Sequence, residues 1–131
     1  MTESAEAVAL MFVQAINAGD VERLRTLMAV DHTFTDAMGN SVSGAEKMVS
    51  GWQHFFYAYP EYKISITQSF GKDGEAALFG VAEGKWRVEG HVTAEGWKVR
   101  AAWLAKVLQG KVQRWRVFCD TGWAKPPAGT S

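Results

Sequence analysis

Residues 97–119 read WKVRAAWLAKVL, then QG, then KVQRWRVFC. The two outer runs have the make-up of strands, and Gln109-Gly110 is short enough to join them as a tight hairpin. Upstream, EAALFGVAEGKWRV (75–88) and YKISITQSF (62–70) read the same way, with GKDG (71–74) and VEGHVTAEG (88–96) as turn-rich connections. Everything after Pro60 is therefore expected to be a run of long antiparallel strands.

The residues before Pro60 carry a different period. Val8, Leu10, Met11, Phe12, Ala15 and Ile16 recur at helical spacing between Ser4 and Ala18, and Gly19 is placed to stop that helix. Asp20 caps a second helix, VERLRTLMA, which buries Val21, Leu24, Leu27 and Met28. HTFT (32–35) alternates like a strand and breaks into AMGN, a turn signal. A third helix starts within SVSGAEKM, where Ser43 and Glu46 have capping-box spacing, and its apolar stripe is Met48, Val49, Trp52, Phe55 and Phe56. Helices first and long strands afterwards indicate an α+β fold: three N-terminal helices packed on a strongly curved, mixed but mostly antiparallel sheet.

The chain has 131 residues, 47% of them hydrophobic and 12% aromatic, enough for one core. We read residues 1–123 as a single domain and 124–131 (AKPPAGTS) as a flexible tail. Fourteen basic residues balance fourteen acidic ones, so charge argues neither for nucleic acid nor for disorder. Cys119, the one cysteine, cannot form an internal disulfide, and no Cys/His grouping has metal-site spacing. The acidic N-terminus does not read as a signal peptide, and no apolar run approaches the roughly 18 residues of a membrane span. The expectation is a cytoplasmic domain without metal or cofactor. Phe79, Val81, Trp86, Val117 and Phe118 are too many for one inner sheet face, which points to a homodimer formed through the outer face.

The order INAGDVERLRTLM, HTFTDAMGNSVSG, HFFYAYPEYKI and GKVQRWRVFCD resembles the nuclear transport factor 2-like superfamily, from about Val8 to Asp120. Within it, the chain is most similar to SnoaL-like polyketide cyclases, ketosteroid isomerases and limonene epoxide hydrolases. The resemblance implies a cone-shaped α+β barrel with a pocket between helices and concave sheet, holding a small hydrophobic molecule. It places Asp36, in TDAMG, on the proton-shuttling aspartate of ketosteroid isomerases. It places Phe12 and Trp103 where those enzymes hold the enolate oxygen with a tyrosine and a protonated aspartate. The water-activating aspartate of the epoxide hydrolases becomes Val117, after Trp115 and Arg116. The acid-base aspartate of the cyclases falls on Cys119, with Asp120 one position away and expected to face outward unless a bulge restores it.

Asp36 thus reads two ways. Beside Phe34, Met38 and the aromatics of the third helix it would be poorly solvated, a setting suited to a proton shuttle; alternatively its side chain bonds the AMG backbone in an Asx turn. His32 shares its strand face and is placed to orient or share a proton with it, or else fills the mouth of that strand. Trp52, Phe56, Trp103 and Trp115 read as core or pocket lining, with the indole N–H of Trp103 or Trp115 available to a ligand oxygen. Gly80, Ala82 and Gly84 leave one strand face nearly bare, making room for a ligand or a close helix. With the register reversed, Glu83 becomes a second pocket acid beside Asp36. The leading functional expectation is a cofactor-independent cyclase, isomerase or lyase acting on an apolar cyclic oxygenated molecule with Asp36 as shuttle. The rivals are a non-catalytic binding domain, an epoxide-hydrolase-like enzyme with altered residues, and a dimerised adaptor with a filled cone.

Overall fold

The computed structural model describes residues 3–130. Helix α1 (Ala5–Ala18) is followed by α2 (Val21–Leu27), β1 (Met28–Thr35), β2 (Ser41–Ser43), α3 (Ala45–Ala58), β3 (Lys63–Lys72), β4 (Glu75–Val88), β5 (His91–Leu108) and β6 (Lys111–Cys119), with a 3-10 turn at Gly122–Ala124. The six strands form one sheet in the order β2-β1-β6-β5-β4-β3. Only β1 and β6 run parallel; every other neighbour is antiparallel. The sheet is curved but not closed, with β2 and β3 as its edges, and the helices complete the cone.

Local chemistry sets the element ends. Ser4 caps α1 by accepting from the Ala7 N–H, and Gly19 ends it in the left-handed conformation with its N–H on the carbonyls of Ala15 and Ile16. The Asp20 side chain then accepts from Arg23 N to start α2, which stops at Leu27, so Met28 already belongs to β1. Three hairpins close on two-residue turns, Asp73-Gly74, Glu89-Gly90 and Gln109-Gly110, in which both residues have positive φ. That is the type I′ geometry matching strand twist.

Two boundary expectations are corrected. VEGHVTAEG is no long connection: once Glu89-Gly90 makes the turn, His91 to Gly96 runs on as strand, with Arg87 opposite Val92 and Val88 opposite His91. The irregularity at Trp86 is satisfied by Thr93, whose buried Oγ1 accepts from Trp86 N and donates to the Glu95 carbonyl. Ser43 does not cap α3. It lies in β2 opposite Thr33, with the two hydroxyls 3.1 Å apart, and Gly44 at φ 106° precedes the helix without a side-chain cap.

The core lies between α1 and the concave sheet. Phe12, fully buried, packs on Trp115 at 4.6 Å between ring centroids and on Trp52 at 6.2 Å. Asn17 fixes the end of α1 to the edge strand by donating to the Ile64 carbonyl and accepting the Ile64 N–H. Because that pair is bidentate, α1 cannot slide along the sheet without breaking both bonds.

Candidate functional site

A cavity of about 370 Å³ lies between α3 and the concave face of the sheet, within the range of small-molecule sites. Trp103 of β5 and Trp115 of β6 face it from the sheet, Trp52 and Phe55 from α3, and Met38 stands at its solvent side, 74% exposed. The inward face of β4 explains the space. Ala82 lines the cavity, whereas Gly84 makes room for Trp97, whose ring would lie 3.0 Å from a Cβ at that position. Gly80 has a different purpose: a Cβ there would meet the Ser65 carbonyl oxygen at 1.9 Å, beside the irregular β3–β4 register at Ile66/Gln68.

The C-terminal turn covers one side. Trp123 stacks on Trp97 and meets Tyr59 edge-on, with ring centroids 4.0 and 5.0 Å apart. The Trp86 indole donates to the Trp123 carbonyl and the Tyr59 hydroxyl donates to the Ala124 carbonyl. These contacts tie residues 123 and 124 to β4 and to the end of α3.

Polar groups are few and sharply placed. Among the described residues, Asp36 is the one charged side chain lining the cavity. Its Oδ1 accepts from the N–H of Met38 and of Asn40, both at 2.9 Å, and its own N–H donates to the Asn40 carbonyl. That is an Asx turn, closed by Gly39 at φ 89°. Oδ2 has no hydrogen-bond partner among the described residues. The indole N–H groups of Trp52, Trp103 and Trp115 are buried and also lack partners among those residues. Tyr59, Tyr62, Cys119, Thr121 and Trp123 bring the remaining polar side chains to the lining; burial pushes the Tyr62 phenol far up, with Cys119 adding to the effect, and burial raises the Cys119 thiol.

Asp36, Trp52, Trp103, Trp115, Val117 and Cys119 line one cavity. The other candidates do not. His32 is fully buried, with Nδ1 2.7 Å from the Val112 carbonyl and its ring against Phe12, so it belongs to the core and not to a pair with Asp36. Phe12 is sealed in the same core, and Phe56 stacks on Trp52 outside the cavity lining. Glu83 sits between Lys63 and Lys98 on the outer face, opposite in sense to buried Ala82 and Gly84. Asp120 is exposed just beyond β6, where no bulge turns it inward. Among the described residues, no group of three or more His, Cys, Asp or Glu side chains is placed to hold a metal ion.

Sequence reading missed Tyr62 and Trp123. The signal for Tyr62 was available: it alternates with Ile64, whose side chain is buried. Glu61 at φ 61° and the hydrogen bond from Lys85 N to the Pro60 carbonyl turn the chain into β3 at that point. Trp123 follows a strand end and gave no periodic signal.

Residues 9–115 match the family described as SnoaL-like domain. The chain belongs to that family. A sequence search among curated proteins finds no match. Among solved structures, a proposed SnoaL-like polyketide cyclase from Shewanella denitrificans OS-217 superposes with a TM-score of 0.81 at 14% identity, covering 91% of this chain and 92% of the other. IdmH, a proposed polyketide cyclase from Streptomyces antibioticus, gives 0.78 at 18% identity over 93% and 96%. An LEH-like epoxide hydrolase from M. tuberculosis gives 0.78 at 10% over 92% and 85%. At these identities the structural likeness speaks for the fold, and this SnoaL-like fold is shared by proteins of more than one chemistry.

Proposed function

We propose that the cavity takes a largely apolar, cyclic, oxygenated small molecule and that Asp36 moves a proton on it, in a cyclisation, isomerisation or elimination that needs no metal or organic cofactor. The setting of Asp36 carries this reading. One carboxylate oxygen is fixed by two backbone N–H groups, and the other, at the edge of an aromatic cavity, has no partner among the described residues. A carboxylate held in this way is oriented before its substrate arrives, which is what a general base requires. The family resemblance puts Val117 and Cys119 at the positions of the epoxide-hydrolase and cyclase carboxylates, so we propose neither of those reactions in its usual form. The protein would act in the cytoplasm; among the described residues no helix is long and apolar enough to cross a membrane.

A second reading is a non-catalytic binding domain. It is favoured by the same Asx turn, since an aspartate bonding Met38 N and Asn40 N is sufficient to shape that loop. The two readings separate on 2-tetralone, an enolisable cyclic ketone, incubated with the protein in D2O. Exchange of its α-protons faster than in buffer, lost in Asp36→Asn while the ketone still binds, supports the shuttle. Binding with exchange at the buffer rate supports the binding domain.

A further inference from the structure

Tyr62 and Asp36 line the same cavity. Asp36 follows β1, Tyr62 precedes β3, and β6, β5 and β4 lie between those strands. We propose that the Tyr62 hydroxyl is a ligand-binding donor that recognises an oxygen of the bound molecule. This deepens the small-molecule reading given above and rests on it.

The two tyrosines lining the cavity differ in what is left to them. The Tyr59 hydroxyl is spent on the Ala124 carbonyl. The Tyr62 hydroxyl has no hydrogen-bond partner among the described residues, and Cys119, which lines the cavity with it, is near enough to act on the phenol. Its ring is held edge-on to Phe55 at 4.7 Å and tilted against Trp97 at 5.7 Å. A donor fixed by packing loses little freedom when a ligand arrives. Burial keeps the phenol protonated, so it presents an O–H to a neutral acceptor.

The test compares 2-acetylnaphthalene with its oxygen-free isostere 2-isopropenylnaphthalene by ligand-observed NMR titration. The wild-type protein is expected to prefer the ketone roughly five- to tenfold, the worth of one net hydrogen bond. Tyr62→Phe should reduce that ratio to about one while leaving hydrocarbon affinity within about twofold, and Asp36→Asn should preserve the ratio. A ratio unchanged in Tyr62→Phe, equal losses for both compounds, or no ketone preference in the wild type overturns the role of Tyr62 and leaves the small-molecule reading standing. If neither compound binds the wild-type protein, both readings fall together.

Discussion

Trp123 lies nearly flat on Trp97, with ring planes 22° from parallel, and Trp97 in turn fills the space above Gly84. A residue beyond the last strand is thereby tied through one indole to the middle of the sheet. The pair connects the cover of the cavity to its wall, so changes at either ring should be felt at both.

Removing the upper ring tests this. Trp123→Ala loses the stack and the edge contact with Tyr59, while the hydrogen bond from Trp86 goes to backbone and can survive. Because Trp123 is only partly buried, destabilisation of about 2 kcal/mol is expected, below the ~3–5 kcal/mol of a fully buried aromatic. Urea unfolding measures the loss, and the exciton couplet of the stacked indoles should vanish from the far-UV circular dichroism spectrum. A variant of unchanged stability would mean that the stack contributes nothing net.

His32 gives the fold a dependence on acid. Its Nδ1 is in contact with the Val112 carbonyl and Nε2 is buried without a partner among the described residues; desolvation by burial lowers its pKa, against a raising influence from Val112 and Asp31. With the folded value below the unfolded one, the unfolded chain binds more protons between the two. Stability is therefore complete above the unfolded value of about 6.5 and falls as pH drops from there toward the folded value, by no more than about 1.4 kcal/mol per pH unit from this group. His32→Phe should be less stable at pH 7, since the Val112 carbonyl loses its donor, but should show a flatter decline between pH 7 and 5. Denaturant melts of both proteins at several pH values provide the comparison, and parallel pH profiles would remove His32 as the cause.

The sequence made the α+β order, both early helices and the sheet-forming half legible because each rests on local chemistry: Gly19 as a stop, Asp20 as a cap, and Gln109-Gly110 as a turn. Glu89-Gly90 escaped because its turn signal was submerged in the polar run HVTAEG, where pairing with the preceding strand overrides weak strand propensity. Alternation leaves the face of the small stripe on β4 open, and the structure turns it inward. Its three members nevertheless serve three ends: Gly80 admits the β3 backbone, Ala82 gives cavity and Gly84 seats Trp97. Of the two readings of His32, the pairing with Asp36 fails for a related reason. Alternation puts it on the face of Asp36, but only the parallel pairing of β1 with β6 brings the Val112 carbonyl to its ring, and no local pattern encodes a contact between residues 80 positions apart.

For the outer face of the sheet we propose a second copy of the chain as the occupant. Phe79, Ala102 and Phe118 stand in register across β4, β5 and β6, and Phe70 joins them through an edge contact with Phe79. The three phenylalanines are 42%, 44% and 59% exposed at positions 79, 118 and 70, a contiguous aromatic patch that a lone domain seldom leaves in water. Arg116 lies over the Phe118 ring and Arg100 is opposite Val81, so the margin of the patch is basic. In a two-fold pair each patch meets itself, and a new positive charge at its centre would confront its own copy and both basic margins. Phe79→Lys should therefore convert a dimer to a monomer with an unchanged far-UV spectrum, whereas an acidic replacement could be rescued by an arginine across the interface. Light scattering after size-exclusion chromatography decides the matter: a wild-type mass of one chain at high micromolar concentration, or a Phe79→Lys protein that remains dimeric, would show that this face does not pair two copies.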